Sequence, residues 1–136
     1  MPLVPDASIA LAWCFENEDS PFADRVFDLL ERDTAIVPAI WPVEVANALR
    51  MAERRGRLQP SATLRLVALL RNLPISVDPV DLDRALGDIL RLAREHGLSC
   101  YDAAYLELAM REGLPLATTD EKLAQAAREA GVELVL

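Results

Sequence analysis

Short apolar runs alternate with longer helical stretches along the whole chain. Because buried parallel strands read as continuous hydrophobic segments, the short runs predict strands. Between them, apolar residues recur at the three- and four-residue spacing that is typical of a helix with one buried face. Strands are predicted at 3–4, 35–37, 75–77, 116–118 and 132–136. Helices are predicted at 7–15, 21–32, 42–55, 60–73, 81–96, 100–112 and 120–130.

Residues typical of helix ends support several of these boundaries. Ser20 and Ser99 precede predicted helices, where a serine side chain can accept a backbone N–H bond. Pro42 is predicted to start the third helix, because proline fits the first helical turn. Gly56 and Gly97 follow predicted helices, and glycine commonly ends a helix by adopting a left-handed backbone.

The alternation of strands and helices predicts a parallel sheet with helices on both faces. We therefore expect one domain over residues 1–136, built as a three-layer α/β/α sandwich around a central, mainly parallel sheet. In folds of this class, ligands bind beyond the carboxyl ends of the strands, where the strand order reverses. Candidate site residues should therefore lie just after strands or at the beginnings of the following helices.

Four acidic residues satisfy this positional rule. Asp6 directly follows the first strand, and Asp120 follows the strand at 116–118. Glu44 is expected in the first turn of its helix, and Asp102 in the first turn of the helix at 100–112. Each acid taken singly also has a simpler explanation, because the helix dipole favours carboxylates at helix N-termini.

The neighbours of these acids indicate burial. Asp6 and Glu44 have apolar residues on both sides, and Asp102 is followed by two alanines. A buried carboxylate is costly unless it is paired, protonated or bound to a metal ion. The chain contains one histidine, His96, which excludes a site with several histidine ligands. Carboxylate oxygens without histidine or cysteine suit Mg²⁺ or Mn²⁺.

Composition narrows the possible functions. The 136 residues are 52% hydrophobic, which is enough for one domain with a substantial core. With 22 acidic and 14 basic residues, the net charge of −8 argues against a generic cationic surface for DNA. The apolar run at 9–15 is far shorter than the roughly 20 residues of a membrane span. No membrane partner is therefore expected. Cys14 and Cys100 fit no metal or redox spacing, and we expect both as small core residues of a cytoplasmic protein.

The acids lie in four short motifs that follow one another over essentially the whole chain. They are PDAS at 5–8 with ALAW at 10–13, Glu44 with NAL at 47–49, LSCYDAAY at 98–105 and LATTD at 116–120. In this order, the motifs resemble those of the PIN-domain family, and specifically the VapC-type toxins of bacterial and archaeal toxin–antitoxin pairs.

The resemblance implies a PIN-like fold and a Mg²⁺- or Mn²⁺-dependent endoribonuclease that hydrolyses phosphodiester bonds in RNA. It also implies a cognate antitoxin protein and a homodimer. The catalytic and metal-binding acids would be Asp6, Glu44, Asp102 and Asp120. The supporting polar residues would be Ser8, Asn47 and Thr118. Some relatives carry a further acid a few positions later, whereas Glu121 and Lys122 follow directly here, so one or two metal ions remain open.

Two further features bear on binding partners. Arg50, Arg54 and Arg55 follow Glu44 along the same predicted helix, and they are candidates for contacts to RNA phosphates. The alternative is a solvated helix end, where the helix dipole favours arginine. The helix at 60–73 has more apolar residues than one buried face needs. The resemblance implies that an antitoxin segment binds in a groove here and blocks the acidic site, and an amphipathic partner helix would match such a surface.

Two other functions stay open from the residues alone. The chain can be a non-catalytic binding module with the same fold, although the complete set of four acids argues against this. It can also be a metal-dependent phosphatase with Asp6 as nucleophile. Phosphatases of the haloacid dehalogenase type carry Asp-x-Asp, however, and Ser8 stands where the second aspartate is needed.

Overall fold

The structure of the protein is a computed structural model that describes residues 1–15 and 20–136. The strands are β1 (Val4–Pro5), β2 (Ala35–Pro38), β3 (Ile75–Asp78) and β4 (Leu116–Ala117). The first four helices are α1 (Ala7–Cys14), α2 (Pro21–Leu29), α3 (Ile40–Arg54) and α4 (Pro60–Arg71). The others are α5 (Leu82–Arg84), α6 (Leu90–His96), α7 (Cys100–Glu112) and α8 (Glu121–Glu129), with a π-helical segment (Ala85–Ile89) between α5 and α6.

The strands pair in parallel. β1 pairs with β4, and β2 pairs with β3. A bridge between Leu3 and Ala35 joins the two pairs, and a bridge between Leu116 and Leu134 adds the C-terminal segment beside β4. The lateral order is therefore β3-β2-β1-β4. The chain places β2 and then β3 on one side of β1, whereas β4 lies on the other side, so the switch point falls between β1 and β4. This switch point is where a fold of this class binds its ligands.

The core lies on both faces of the sheet, because neighbouring strand residues point to opposite sides. Leu3 and Ala117 pack in one cluster with Ile9 of α1 and Val26 of α2. Val4 and Leu116 pack in a larger cluster that includes residues of α3 and α7. The middle of α7 is buried, and this helix lies against β1, β2 and β4. The predicted α/β/α sandwich is thus confirmed.

Most of the predicted helix ends agree with the structure. Ser20 and Ser99 cap α2 and α7 by accepting backbone N–H bonds from Ala23 and Asp102. Gly97 ends α6 in the left-handed conformation, with φ of 63°. The helix predicted at 81–96 contains the π-helical segment, and α2 stops at Leu29 and continues as turns instead of α-helix.

Two expectations are wrong. The helix predicted to begin at Pro42 begins at Ile40, because the first helical N–H groups need no partner and proline is tolerated throughout the first turn. Glu44 therefore lies beyond the first turn of α3. The strand predicted at 132–136 is only a single bridge at Leu134, since its partner β4 is two residues long and offers no longer ladder.

Within 1–15 and 20–136, the structure contains no helix that is both long and apolar enough to span a membrane.

Candidate active site

Asp6 lies at the carboxyl end of β1, directly at the switch point of the sheet. Its backbone N–H donates to the Ala117 carbonyl at 3.0 Å, which places it beside the end of β4. Its side chain caps α1 by accepting the Ile9 N–H at 3.4 Å. Although it is an acid, Asp6 is only 4% exposed.

Two hydroxyl groups hold the Asp6 carboxylate. The Ser8 hydroxyl donates to Oδ1 at 2.5 Å, and the Thr118 hydroxyl donates to Oδ2 at 2.5 Å. Each hydroxyl oxygen also accepts a backbone N–H, from Thr119 at 3.1 Å and from Asp120 at 2.9 Å. Because these N–H groups can only donate, both hydroxyl protons are left to point at Asp6. The network joins the start of α1 to the segment between β4 and α8.

Burial governs the charge state of Asp6. Loss of solvent raises its pKa from 3.8 to about 6, the bonds from Ser8, Thr118 and Ile9 oppose this rise, and the charge of Asp102 adds to it. No Lys, Arg or His side chain of the described residues forms an ion pair with Asp6. An ionised Asp6 is therefore held by dipoles without a counter-charge from this part of the chain.

Glu44 approaches the same region from α3. The Tyr105 hydroxyl of α7 donates to its Oε1 at 2.6 Å. Burial raises the pKa of Glu44, the bond from Tyr105 lowers it, and the charge of Asp102 raises it further. The sequence places Tyr105 at the end of the LSCYDAAY motif, where stacking on RNA bases or core packing is the interpretation, and its bond to Glu44 is not predicted. The available signal was its spacing, because residues three apart on a helix share one face and Tyr105 lies three after Asp102.

Asp102 is the acid that connects the others. It lies in the first turn of α7 and is partly buried. Burial raises its pKa, the charge of Asp120 raises it further, and the Ser99 bond and the charge of Lys122 lower it. Since its own charge also raises the pKa values of Asp6 and Glu44, the four predicted acids share one electrostatic environment.

Asp120 is the most accessible of the four acids. It caps α8, and its Oδ1 accepts the N–H groups of Lys122 at 2.9 Å and Leu123 at 3.2 Å. Its backbone N–H bonds to Thr118, so it is tied to the same network that holds Asp6. The structure thus brings Asp6, Ser8, Thr118 and Asp120 together through hydrogen bonds.

The remaining predicted residues lie apart from this network. Asn47 is exposed on α3 and makes no side-chain hydrogen bond to any of the residues described. Arg50 pairs with Glu53 at 3.5 Å and is 64% exposed, whereas Arg54 and Arg55 are exposed at the end of α3. Within the described ranges, none of these four forms a hydrogen bond or ion pair with the side chain of Asp6, Glu44 or Asp102.

The donor set fits a hard divalent cation. In the parts of the chain that are described, no three His, Cys, Asp or Glu side chains are close enough together to bind one ion. Mg²⁺ does not need such a cluster, because it commonly takes one or two carboxylates and fills its other positions with water. The carboxylate oxygens available to such an ion in this region are those of Asp6, Glu44, Asp102 and Asp120.

Comparison with known proteins gives one consistent family. A PIN domain family model matches residues 3–129. The Ribonuclease VapC3 of Pyrobaculum aerophilum is 33% identical over 125 residues, which cover 92% of this chain and 94% of that protein. The crystal structure of PAE2754 from the same organism has a TM-score of 0.68 at 30% identity, covering 93% of this chain and 79% of that one.

A solved toxin–antitoxin complex from Klebsiella pneumoniae shares the fold, with a TM-score of 0.61 at 18% identity and 88% of each chain covered. The sheet order, the acids at the switch point and the match over residues 3–129 agree: this chain belongs to the PIN domain family, and its similarities are to VapC-type members.

Proposed function

We propose that this chain is a Mg²⁺- or Mn²⁺-dependent endoribonuclease that acts as the toxin of a toxin–antitoxin pair. The observation that carries the proposal is Asp6: a buried carboxylate at the switch point of the sheet, held by two hydroxyls and electrostatically coupled to Asp102. The relative named Ribonuclease VapC3, which matches over 92% of this chain, supports RNA as the substrate.

The residues of the site have separable roles in this proposal. Asp6 and Asp102 hold the metal ion, and the Ser8 and Thr118 hydroxyls keep both Asp6 oxygens in fixed directions. Glu44 and Asp120 accept bonds from water molecules and so orient them. When bound, a divalent ion lowers the pKa of coordinated water and offsets charge on a phosphate oxygen. Arg54 and Arg55 bind RNA phosphates away from the point of cleavage.

The partner proposed from the toxin–antitoxin resemblance fits the surface of α4. No residue of α4 is buried, and Leu64 and Leu69 are exposed by 73% and 37%. A groove of about 330 Å³ runs between α3 and α4, lined by apolar side chains such as Trp41, Val67 and Leu70. We propose that an apolar antitoxin segment covers this face. A homodimer and a cytoplasmic location remain part of the same proposal.

Cleavage of a circular RNA tests the activity. Only an endonuclease can open a closed circle, so we expect linear product with Mg²⁺ or Mn²⁺ and none with EDTA. The Asp102→Asn variant keeps the size of the side chain but loses its charge, and we expect it to leave the circle intact. The matched control is Asp28→Asn, an exposed position of α2, which should cleave as the wild type does.

Two results would contradict the proposal. Equal cleavage with and without a divalent ion would show that the activity does not depend on a metal ion. Release of phosphate from p-nitrophenyl phosphate, with the circle left intact, would instead favour the phosphatase alternative.

A further inference from the structure

Tyr105 combines a buried ring with a polar bond at the site. The residue is 1% exposed, and it is among the largest fully buried side chains of the protein. Its hydroxyl nevertheless reaches Glu44 on another helix, where it donates to Oε1 at 2.6 Å. A phenylalanine would fill the same core volume, so packing alone does not account for the hydroxyl.

The direction of this hydrogen bond is settled by chemistry. An ionised carboxylate only accepts hydrogen bonds, so the phenol must donate. Burial, the bond to Glu44 and the charges of Glu44, Asp6 and Asp102 all raise the pKa of Tyr105. The phenol therefore stays protonated and remains a donor throughout the neutral pH range. Its contact with the acids of the site is the bond to Glu44 at 2.6 Å.

The position of Tyr105 on α7 links two acids from different helices. Asp102 lies three residues earlier on α7, so both side chains leave the helix on the same side. The segment from Ala103 to Ala109 is buried against the sheet, which fixes the axis of α7. Glu44 belongs to α3, and the Tyr105 hydroxyl is the hydrogen-bond contact that ties its carboxylate to the helix of Asp102.

We propose that Tyr105 is a positioning residue that holds the Glu44 carboxylate at its working distance from Asp102. It touches neither substrate nor metal, and it acts through Glu44. The inference rests on the proposed metal-dependent function, because the held distance matters only if the two carboxylates serve one ion or its water molecules. Removal of groups that orient metal ligands typically costs about 10-fold or more in metal affinity or activity.

The test compares Tyr105→Phe with Tyr101→Phe, since both remove one oxygen from a tyrosine of α7. Tyr101 is 61% exposed, and its hydroxyl makes no hydrogen bond within the described part of the chain. Mn²⁺ affinity is measured by electron paramagnetic resonance, without RNA. We expect Tyr105→Phe to bind Mn²⁺ about 10-fold more weakly, and Tyr101→Phe to match the wild type.

Kinetics with RNA separate positioning from a structural defect. For Tyr105→Phe we expect kcat to fall about 10-fold while KM for RNA stays within about 2-fold. The thermal midpoint in EDTA should stay close to that of the wild type, because the ring still fills the core. A large loss of thermal stability with unchanged Mn²⁺ affinity would overturn the proposal and leave Tyr105 a core residue.

A double-mutant cycle with Glu44→Ala gives the sharpest result. If Tyr105 acts only through Glu44, the Glu44→Ala/Tyr105→Phe protein should have the Mn²⁺ affinity of Glu44→Ala alone. If the Mn²⁺ affinity losses of the two single variants multiply in the double variant, Tyr105 acts independently of Glu44 and the proposal is wrong. Wild-type protein that neither binds Mn²⁺ nor cleaves RNA would overturn the proposed function and this inference together. Active wild type with an unchanged Tyr105→Phe would overturn only the inference.

Discussion

Asp6 and Glu107 are both buried acids, at 4% and 5% exposure, but the chain treats them in opposite ways. Glu107 of α7 accepts from Arg111 Nε at 2.8 Å and lies 3.3 Å from Arg84 Nε. Arg111 also reaches Asp78 at the end of β3, at 2.7 Å. Asp6 has hydroxyl and N–H donors, and no cationic side chain among the described residues pairs with it.

The difference separates an acid whose counter-charge the chain supplies from an acid that has none among the described residues. A buried charge that keeps its ion pair is tolerated, and breaking the pair leaves an uncompensated charge. At Glu107 the chain provides its own cations, so the cluster ties α7 to β3 and α5. At Asp6 the dipoles only partly offset desolvation, and its pKa rises to about 6. In the proposed function, a divalent cation from solution supplies the positive charge that the described residues do not provide for Asp6.

First, we expect removal of the Asp6 charge to lower RNA cleavage while it raises the stability of the fold. In Asp6→Asn, we expect metal-dependent RNA cleavage to fall by roughly 1,000-fold or more, because a metal ligand is lost. In EDTA at pH 8, we expect the free energy of unfolding to rise by about 1 kcal/mol. Loss of the desolvated charge contributes about 3 kcal/mol. The asparagine NH₂ group cannot accept one of the two hydroxyl bonds from Ser8 and Thr118, which costs about 2 kcal/mol.

Chemical denaturation in urea measures this change, and Asp28→Asn, at an exposed position of α2, is the matched control. A destabilised Asp6→Asn protein would mean that the carboxylate is a favourable structural group, and the contrast with Glu107 would disappear.

The second prediction is the opposite response at Glu107. In Glu107→Gln, we expect the free energy of unfolding to fall by about 2 kcal/mol, because Arg84 and Arg111 lose a buried counter-charge. The loss is smaller than for a fully uncompensated buried charge, since both arginines keep Asp78 as a partner. Since the cluster serves the fold, the loss should be the same with EDTA and with Mg²⁺.

The neighbouring exposed Glu112, which pairs with the same Arg111 at 2.9 Å, provides a control. Glu112→Gln should change stability by well under about 1 kcal/mol, as is usual for surface pairs. Equal losses for the two variants would show that burial does not distinguish these acids.

The third and smallest effect is on the pH dependence of stability without metal. The pKa of Asp6 is about 6 in the folded state against 3.8 ordinarily, so the folded state holds its proton more tightly. Its contribution to stability is full below pH 3.8 and is lost as the pH rises through 6. Between pH 5 and pH 7, we expect a loss of about 1 kcal/mol from this group.

Urea titrations in EDTA at several pH values measure this slope, with Asp6→Asn as the reference that lacks the group. Saturating Mg²⁺ should restore stability near pH 7, because it binds the ionised site only in the folded protein. Parallel pH curves for wild type and Asp6→Asn would contradict the assignment of this titration to Asp6.

Much of the local structure was predictable because its causes are local. Ser20, Ser99 and Gly97 act within a few residues of their own positions, and the structure uses them as predicted. The wrong start of α3 has a local cause as well, since proline is tolerated at several positions of a first turn and does not define which one it occupies.

The site was predictable only in part. The positions of Asp6 and Asp102, at a strand exit and a helix start, follow from the pattern of the elements. Partners distant along the chain do not: Thr118 bonds to Asp6 across 112 positions, and Tyr105 bonds to Glu44 across 61. The Glu107 cluster was also missed, because nothing local to Glu107 indicates that Arg84 will reach it.

By itself, the sequence determined which acids the chain carries, the alternation of strands and helices, and hence the parallel sandwich with acids at its carboxyl edge. Periodicity and capping express these features within single elements. Only the tertiary structure decided that β1 lies beside β4, and therefore that Asp6 receives hydroxyls from both sides. It also decided that Glu107 meets arginines, whereas Asp6 meets none among the residues that the structure describes. Counter-charge and burial are properties of packed elements, so the charge state of each acid emerges only when the helices and strands meet.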